Sequence, residues 1–313
     1  MKANFPVEFL AASMTLDMGN TDKLAEFRME AERLGIKLEP PSINRSGRAF
    51  DVQGNTIFYS LAALKGVGAQ AVDQIVAARG AMPFRDLTDF AGRINPRAIN
   101  KRVLESLAAA GAFDQLDTHR ARVHAAVETM LSASQRAHDA AESGQNELFG
   151  GPSHREPLRL PNVDPWTAAD RLQREYEAVG FFLTGHPLDD YAKALKRMQV
   201  MNWIEFTKSV RAGATAGRTA ATVVSRTERR TKTGSKMGII GLSDPSGQYE
   251  AVLFQEGLLQ FRDLLEPGTA VLLLLSAEAQ GEDVRARIQS VERLDQAAEK
   301  IQKSMQIFLR DSG

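Results

Sequence analysis

Apolar residues recur at helical spacing over roughly the first two-thirds of the chain and then change to strict alternation. Leu24, Phe27, Ala31 and Leu34 share one face of a helix predicted over 20–34, and Gly35 supplies its stop. Pro40-Pro41 forces an extended segment behind it. Ile99, Val103, Leu104 and Leu107 make a second stripe, with Lys101 and Arg102 turned elsewhere; that helix is predicted to open at Asn95-Pro96, an N-cap followed by proline, and to end at Gly111. A third helix is predicted over 166–180. Beyond about residue 211 the period becomes two: Tyr249, Ala251 and Leu253 oppose Glu250, Val252 and Phe254, and Val284, Ala286 and Ile288 oppose Arg285, Arg287 and Gln289. Strands are expected at 220–230, 237–242, 249–254, 269–277 and 284–293, with a helix at 256–265 between the third and fourth. That order predicts an OB-fold barrel.

The helical part carries a more specific signal. Lys65-Gly66-Val67-Gly68 precedes a helical run that Arg79 closes. Two glycines let the backbone turn tightly with its amides bare, and the following helix adds the positive end of its dipole, so the bend suits a phosphate. Gly-Val-Gly alone equally fits a helix-joining turn with no ligand; the basic neighbours and a second helical pair, whose hairpin is placed at Gly111, favour a tandem helix-hairpin-helix unit. Such a unit grips a duplex backbone without reading sequence. The predicted duplex contacts are Lys65, Gly66, Val67, Gly68, Arg79, Lys101, Arg102 and Gly111.

The fold class is therefore α+β and multidomain, a tandem helix-hairpin-helix region followed by a five-stranded OB-fold barrel. The divisions expected are 1–45, a helical segment; 46–131, the hairpins; 132–165, a linker rich in Ala, Ser, Gln, Gly and Pro; 166–210, a helical connector; 211–295, the barrel; and 296–313, the start of a further domain.

Charge narrows the picture. Thirty-nine Lys and Arg balance 39 Asp and Glu, so no global field draws the chain to nucleic acid and binding must come from local patches. Cysteine is absent, which excludes disulfides and cysteine zinc sites and fits a reducing cytoplasm. The run Ala270-Val271-Leu272-Leu273-Leu274-Leu275 is too short to span a bilayer, and no membrane partner is expected. The five histidines are scattered without metal-ligand spacing, so neither a metal nor another cofactor is expected.

Arg226, Arg229, Arg230, Lys232 and Lys236 cluster in the first barrel strand and the loop behind it, against the single acid Glu228. In an OB fold that loop flanks a single-strand groove; the other reading is an edge kept basic to block strand pairing. Contact with the sugar-phosphate backbone is better supported than base stacking. Within the linker, Gln145-Asn146-Glu147-Leu148-Phe149 keeps an apolar pair where exposure is expected. The pair either packs back on its own domain or follows the pattern of peptides that dock on a bacterial sliding clamp.

Taken with Phe5-Pro6-Val7-Glu8-Phe9-Leu10-Ala11-Ala12, Pro40-Pro41-Ser42-Ile43-Asn44, the segment from Asn100 to Asp114, Gly180-Phe181-Phe182-Leu183-Thr184-Gly185-His186-Pro187-Leu188 and Gly241-Leu242-Ser243-Asp244, these motifs make the chain resemble the alpha subunit of bacterial DNA polymerase III, the C-family replicative polymerase. The resemblance covers essentially the whole chain in the family's order. It implies a region from the end of the fingers to just past the barrel, part of a DNA-directed DNA polymerase. It implies that Gln145, Leu148 and Phe149 form the internal clamp-binding motif and Gly66 and Gly68 the first hairpin. Duplex DNA, single-stranded DNA, the sliding clamp and other polymerase III holoenzyme subunits are the implied partners. Asp17, Asp22 and Asp51 match none of the family's catalytic aspartates, so no nucleotide incorporation is expected from the chain alone. Alternatives of other classes are a free-standing DNA-binding adaptor and a helix-hairpin-helix repair protein such as a glycosylase; an NAD-dependent ligase would need zinc-binding cysteines.

Overall fold

Two helices lead the chain, each held by signals written in its first turn. The computed structural model describes residues 4–142, 157–230, 234–281 and 283–305. Helix α1 (Pro6–Leu16) starts on its proline and buries Val7, Leu10, Ala11 and Met14 along one stripe. Helix α2 (Thr21–Arg33) is capped by Asn20, whose side chain accepts from the Lys23 amide, and Gly35 turns the chain out of it with φ +67°. The segment directly after Pro40-Pro41 is an irregular stretch of turns and bends, and a small sheet flanks it: β1 (Lys37–Glu39) runs parallel to β3 (Thr56–Phe58), which pairs antiparallel with β2 (Asp51–Gln53).

A short 3-10 turn, Leu61–Ala63, then leads to α3 (Ala69–Arg79), α4 (Leu87–Arg93), α5 (Lys101–Ala109), α6 (Arg120–Ala125), α7 (Val127–Glu142) and α8 (Ala168–Val179). Phe84, Phe90 and Phe113 stack edge to face at 5.0 Å through the middle of this core. These elements form the first of two compact units, Met1–Thr184; the second is Gly185–Gly313.

The first unit is locked by a buried charge cluster. Glu175 of α8, fully buried, accepts from the Leu183 and Thr184 amides, the Thr184 hydroxyl and Nη1 of Arg120 at 3.1 Å. Arg120 in turn donates to Asp114 at 2.7 Å and to the Ala109 carbonyl. Every charge is matched by hydrogen bonds, the condition under which a buried ion pair is tolerated.

In the second unit α9 (Ala192–Arg197) and α10 (Trp203–Arg211) precede a closed barrel. Asn202 and Glu205 form a reciprocal capping box at the start of α10. The barrel strands are β4 (Ala216–Arg230), β5 (Lys236–Asp244), β6 (Gly247–Phe254), β7 (Ala270–Gln280) and β8 (Asp283–Arg293), with α11 (Gln255–Phe261) between β6 and β7 and α12 (Leu294–Met305) behind β8. Their order around the barrel is β4-β5-β6-β8-β7; β6 pairs parallel with β8, and β4 closes antiparallel on β7. This is the OB topology predicted from the alternating period. Val223, Ile240, Leu242, Leu253, Val271, Leu273 and Leu275 fill the interior, sealed by Phe206 of α10 and Leu258 of α11.

Candidate nucleic-acid interface

The first bend is open to solvent. Lys65, Gly66 and Gly68 are exposed while Val67 between them is buried, so the loop is pinned by its apolar centre. Gly66 has φ +81°, a region L side chains rarely occupy, and an added Cβ would come within 3.0 Å of Arg102 Nε. Gly68 is the N-cap of α3, with no side-chain cap and nothing within 4 Å of an added Cβ. Among the described residues the Gly66 and Gly68 amides donate to no protein acceptor. The first amides of α3 have no intrahelical partners by helix geometry, and no side chain caps them. Lys65 and Arg102 stand exposed beside the bend, and Lys65 Nζ lies 5.8 Å over the Tyr176 ring.

Two other predicted contacts have partners within the chain. Arg79 donates to the carbonyls of Ile43 and Ser46 at 2.9 and 3.0 Å, so its guanidinium braces the chain under the small sheet; burial pushes its pKa below the ordinary value. Lys101 pairs with Glu128 at 2.6 Å, a bond that raises its pKa.

Gly111 is a correction. It is buried, its amide donates to Ala108, and an added Cβ would lie 2.2 Å from Arg120 Nη2. With φ +81° it turns the chain out of α5 beneath that guanidinium and faces no ligand. The bend that precedes α5 is instead 94–100, which joins α4 to α5 and is the second candidate hairpin. Asn95 does not cap α5: its carbonyl takes the Ala98 and Ile99 amides and its side chain the Arg97 amide, closing a turn, and Asn100 is the N-cap, accepting from Val103 at 3.0 Å. The signal for this is in the sequence, since Asn100 has the same capping chemistry as Asn95 and stands directly before the apolar stripe.

On the barrel, Arg226 is also a correction as a ligand contact. It donates to the Arg262 carbonyl and to Glu266 at 2.7 and 2.9 Å, tying β4 to the segment after α11. Arg229, Arg230 and Lys236 are exposed. Lys232 and the Gln145, Leu148 and Phe149 motif lie outside the described residues. Sequence reasoning passed over a partner of Arg229: Arg287 of β8 is exposed and sits 5.8 Å over the ring of Phe254, itself half exposed. Register puts Arg229, Met237 and Phe254 in one row across β4, β5 and β6, and Thr227, Ile239, Val252 and Arg287 in the next. The outer face of the barrel thus carries the Phe254 ring beside Arg287, with Arg229 in the same row beyond Met237. Tyr249, on the opposite face, is buried and stacked on Trp203 with centroids 4.0 Å apart.

The helix-hairpin-helix motif family matches residues 35–123, which include both hairpins. Among solved structures, the yeast mitochondrial single-stranded DNA binding protein Rim1 aligns with 26% of this chain and 93% of its own at 16% identity and a TM-score of 0.23. The DNA polymerase III subunit alpha of Caulobacter vibrioides is 41% identical over 313 residues, and that of Escherichia coli K12 is 34% identical over 327 aligned positions. The chain spans 27% of the length of each, while 100% and 99% of its own length is matched. Along its whole length, then, this chain is similar to one segment of the bacterial DNA polymerase III alpha subunit.

Proposed function

We propose that the chain is the DNA-holding portion of a replicative DNA-directed DNA polymerase. The first hairpin grips the duplex backbone through the Gly66 and Gly68 amides with Lys65 and Arg102 beside them. The outer barrel face takes single-stranded template on Phe254, Arg229 and Arg287, with Arg230, Lys232 and Lys236 along the adjoining strands and loop. Gln145, Leu148 and Phe149 hook a sliding clamp, and other holoenzyme subunits assemble around this portion in the cytoplasm. The exposed bend with outward amides carries this reading.

Its test is duplex binding by the 313-residue chain. Proline at position 68 deletes one amide, and the Gly68 φ of −76° is one that proline accepts, so Gly68→Pro is expected to weaken duplex affinity about tenfold while Gly68→Ala binds like the parent. Equal affinity for Gly68→Pro and parent removes the hairpin from the interface. In a pull-down with sliding clamp, Gln145→Ala combined with Phe149→Ala is expected to abolish capture and leave DNA affinity unchanged; undiminished capture ends the clamp assignment.

A further inference from the structure

The bend at Gly66 is held from outside by two other helices. The Lys65 amide donates to the Ala178 carbonyl at the end of α8 at 2.8 Å, and the Lys65 carbonyl accepts from the Ser106 hydroxyl of α5 at 2.7 Å. The second contact fixes a direction. The Lys65–Gly66 peptide is trans, so its C=O and the Gly66 N–H point opposite ways in one rigid plane. With the carbonyl held on the Ser106 hydroxyl, the Gly66 N–H of this exposed glycine faces the opposite way, away from that hydroxyl. A glycine with φ +81° on one side of this plane leaves it free to flip when nothing holds it, because both peptide orientations are open to glycine.

We propose that Ser106 is a positioning residue for duplex binding: its hydroxyl locks the Lys65–Gly66 peptide with the Gly66 amide aimed at a phosphodiester oxygen. This deepens the duplex-grip reading above and rests on it. Ser106 lies on the second helix pair and touches no DNA itself, so the second pair contributes to binding by orienting the first. An amide carries no counterion to release, whereas a lysine does. Loss of an aimed amide therefore lowers affinity equally at all salt concentrations, and loss of a cation flattens the salt dependence.

The experiment measures duplex affinity of the full chain across a salt series for Ser106→Ala, Ser106→Thr and Lys65→Ala. Ser106→Ala is expected to bind about fivefold more weakly with an unchanged slope of log affinity against log salt, and Ser106→Thr, which keeps the hydroxyl, to bind like the parent. Lys65→Ala is expected to reduce the slope by about one. If Lys65→Ala behaves so but Ser106→Ala binds like the parent, or Ser106→Thr is as weak as Ser106→Ala, the positioning role is overturned and the grip stands. A Ser106→Ala variant with a flattened slope also overturns it, since the cations would then have moved with the loop. If Lys65→Ala leaves both slope and affinity untouched, the grip itself fails.

Discussion

Asp89 shows how single side chains set the stability of the hairpin unit. It is buried; burial works against its charge, but the Arg85 amide and the Arg93 guanidinium at 3.1 Å outweigh that and hold its carboxyl below the usual carboxylate range. A depressed folded pKa means the stabilisation is fully present above the unfolded value and is lost as pH falls through the folded one. Asp89→Asn is therefore expected to cost about 1–3 kcal/mol near neutral pH, and urea denaturation should show the gap to the parent closing as the pH is lowered. A gap that stays constant in acid would contradict the ion-pair account. The same scale explains where single-residue expectations went astray. Arg226 and Arg79 read as free cations because their acceptors are distant in sequence: Glu266 for one, the Ile43 carbonyl for the other. Gly111 reads as a hairpin glycine because nothing local announces the Arg120 guanidinium stacked over it.

Elements were legible where one period ran long enough. The five barrel strands and the helix between the third and fourth stand where the sequence placed them; β6 and β8 alternate, so a one-residue slip would turn their buried face outward, whereas β4 and β5 bury the continuous runs 219–223 and 240–244. The sheet of β1, β2 and β3 was illegible: each strand has three residues, too few for a period, and Pro40-Pro41 signals only extension. The second hairpin was misplaced because Asn95-Pro96 and Asn100 are both credible helix starts, and the contest is settled by turn bonds back to Asn95. Of the candidate interface, the first bend could be read from glycine spacing, but the Phe254 and Arg287 pair joins β6 to β8 through a parallel pairing that alternation cannot reveal. Phe254→Ala is expected to weaken binding of a short single-stranded oligonucleotide by about 1–3 kcal/mol and to leave duplex affinity unchanged. Equal oligonucleotide affinity in a fluorescence titration would remove the ring from that face.

For the molecule as a whole, the return of α8 to the hairpin unit matters most. On one flank of residues 143–156, α7 is held where Ser134 donates to the Ile94 carbonyl, and on the other the Leu158 amide donates to Thr88. The Glu175–Arg120 pair and the Lys65–Ala178 bond then fasten α8. Both shores of the 143–156 segment therefore belong to one body, and closure entropy grows only slowly with length, about 0.6 kcal/mol for each doubling. Lengthening that segment twofold is expected to lower the hairpin unit's unfolding free energy by no more than about 1 kcal/mol in denaturant titration. A single proteolytic nick inside it should likewise leave two pieces that elute together on gel filtration and part only in denaturant. A clamp that hooks this segment would then load the unit through Ser134–Ile94 and Leu158–Thr88 on its two flanks, and the strength of the attachment would be set by those side-chain contacts rather than by the length of chain between them.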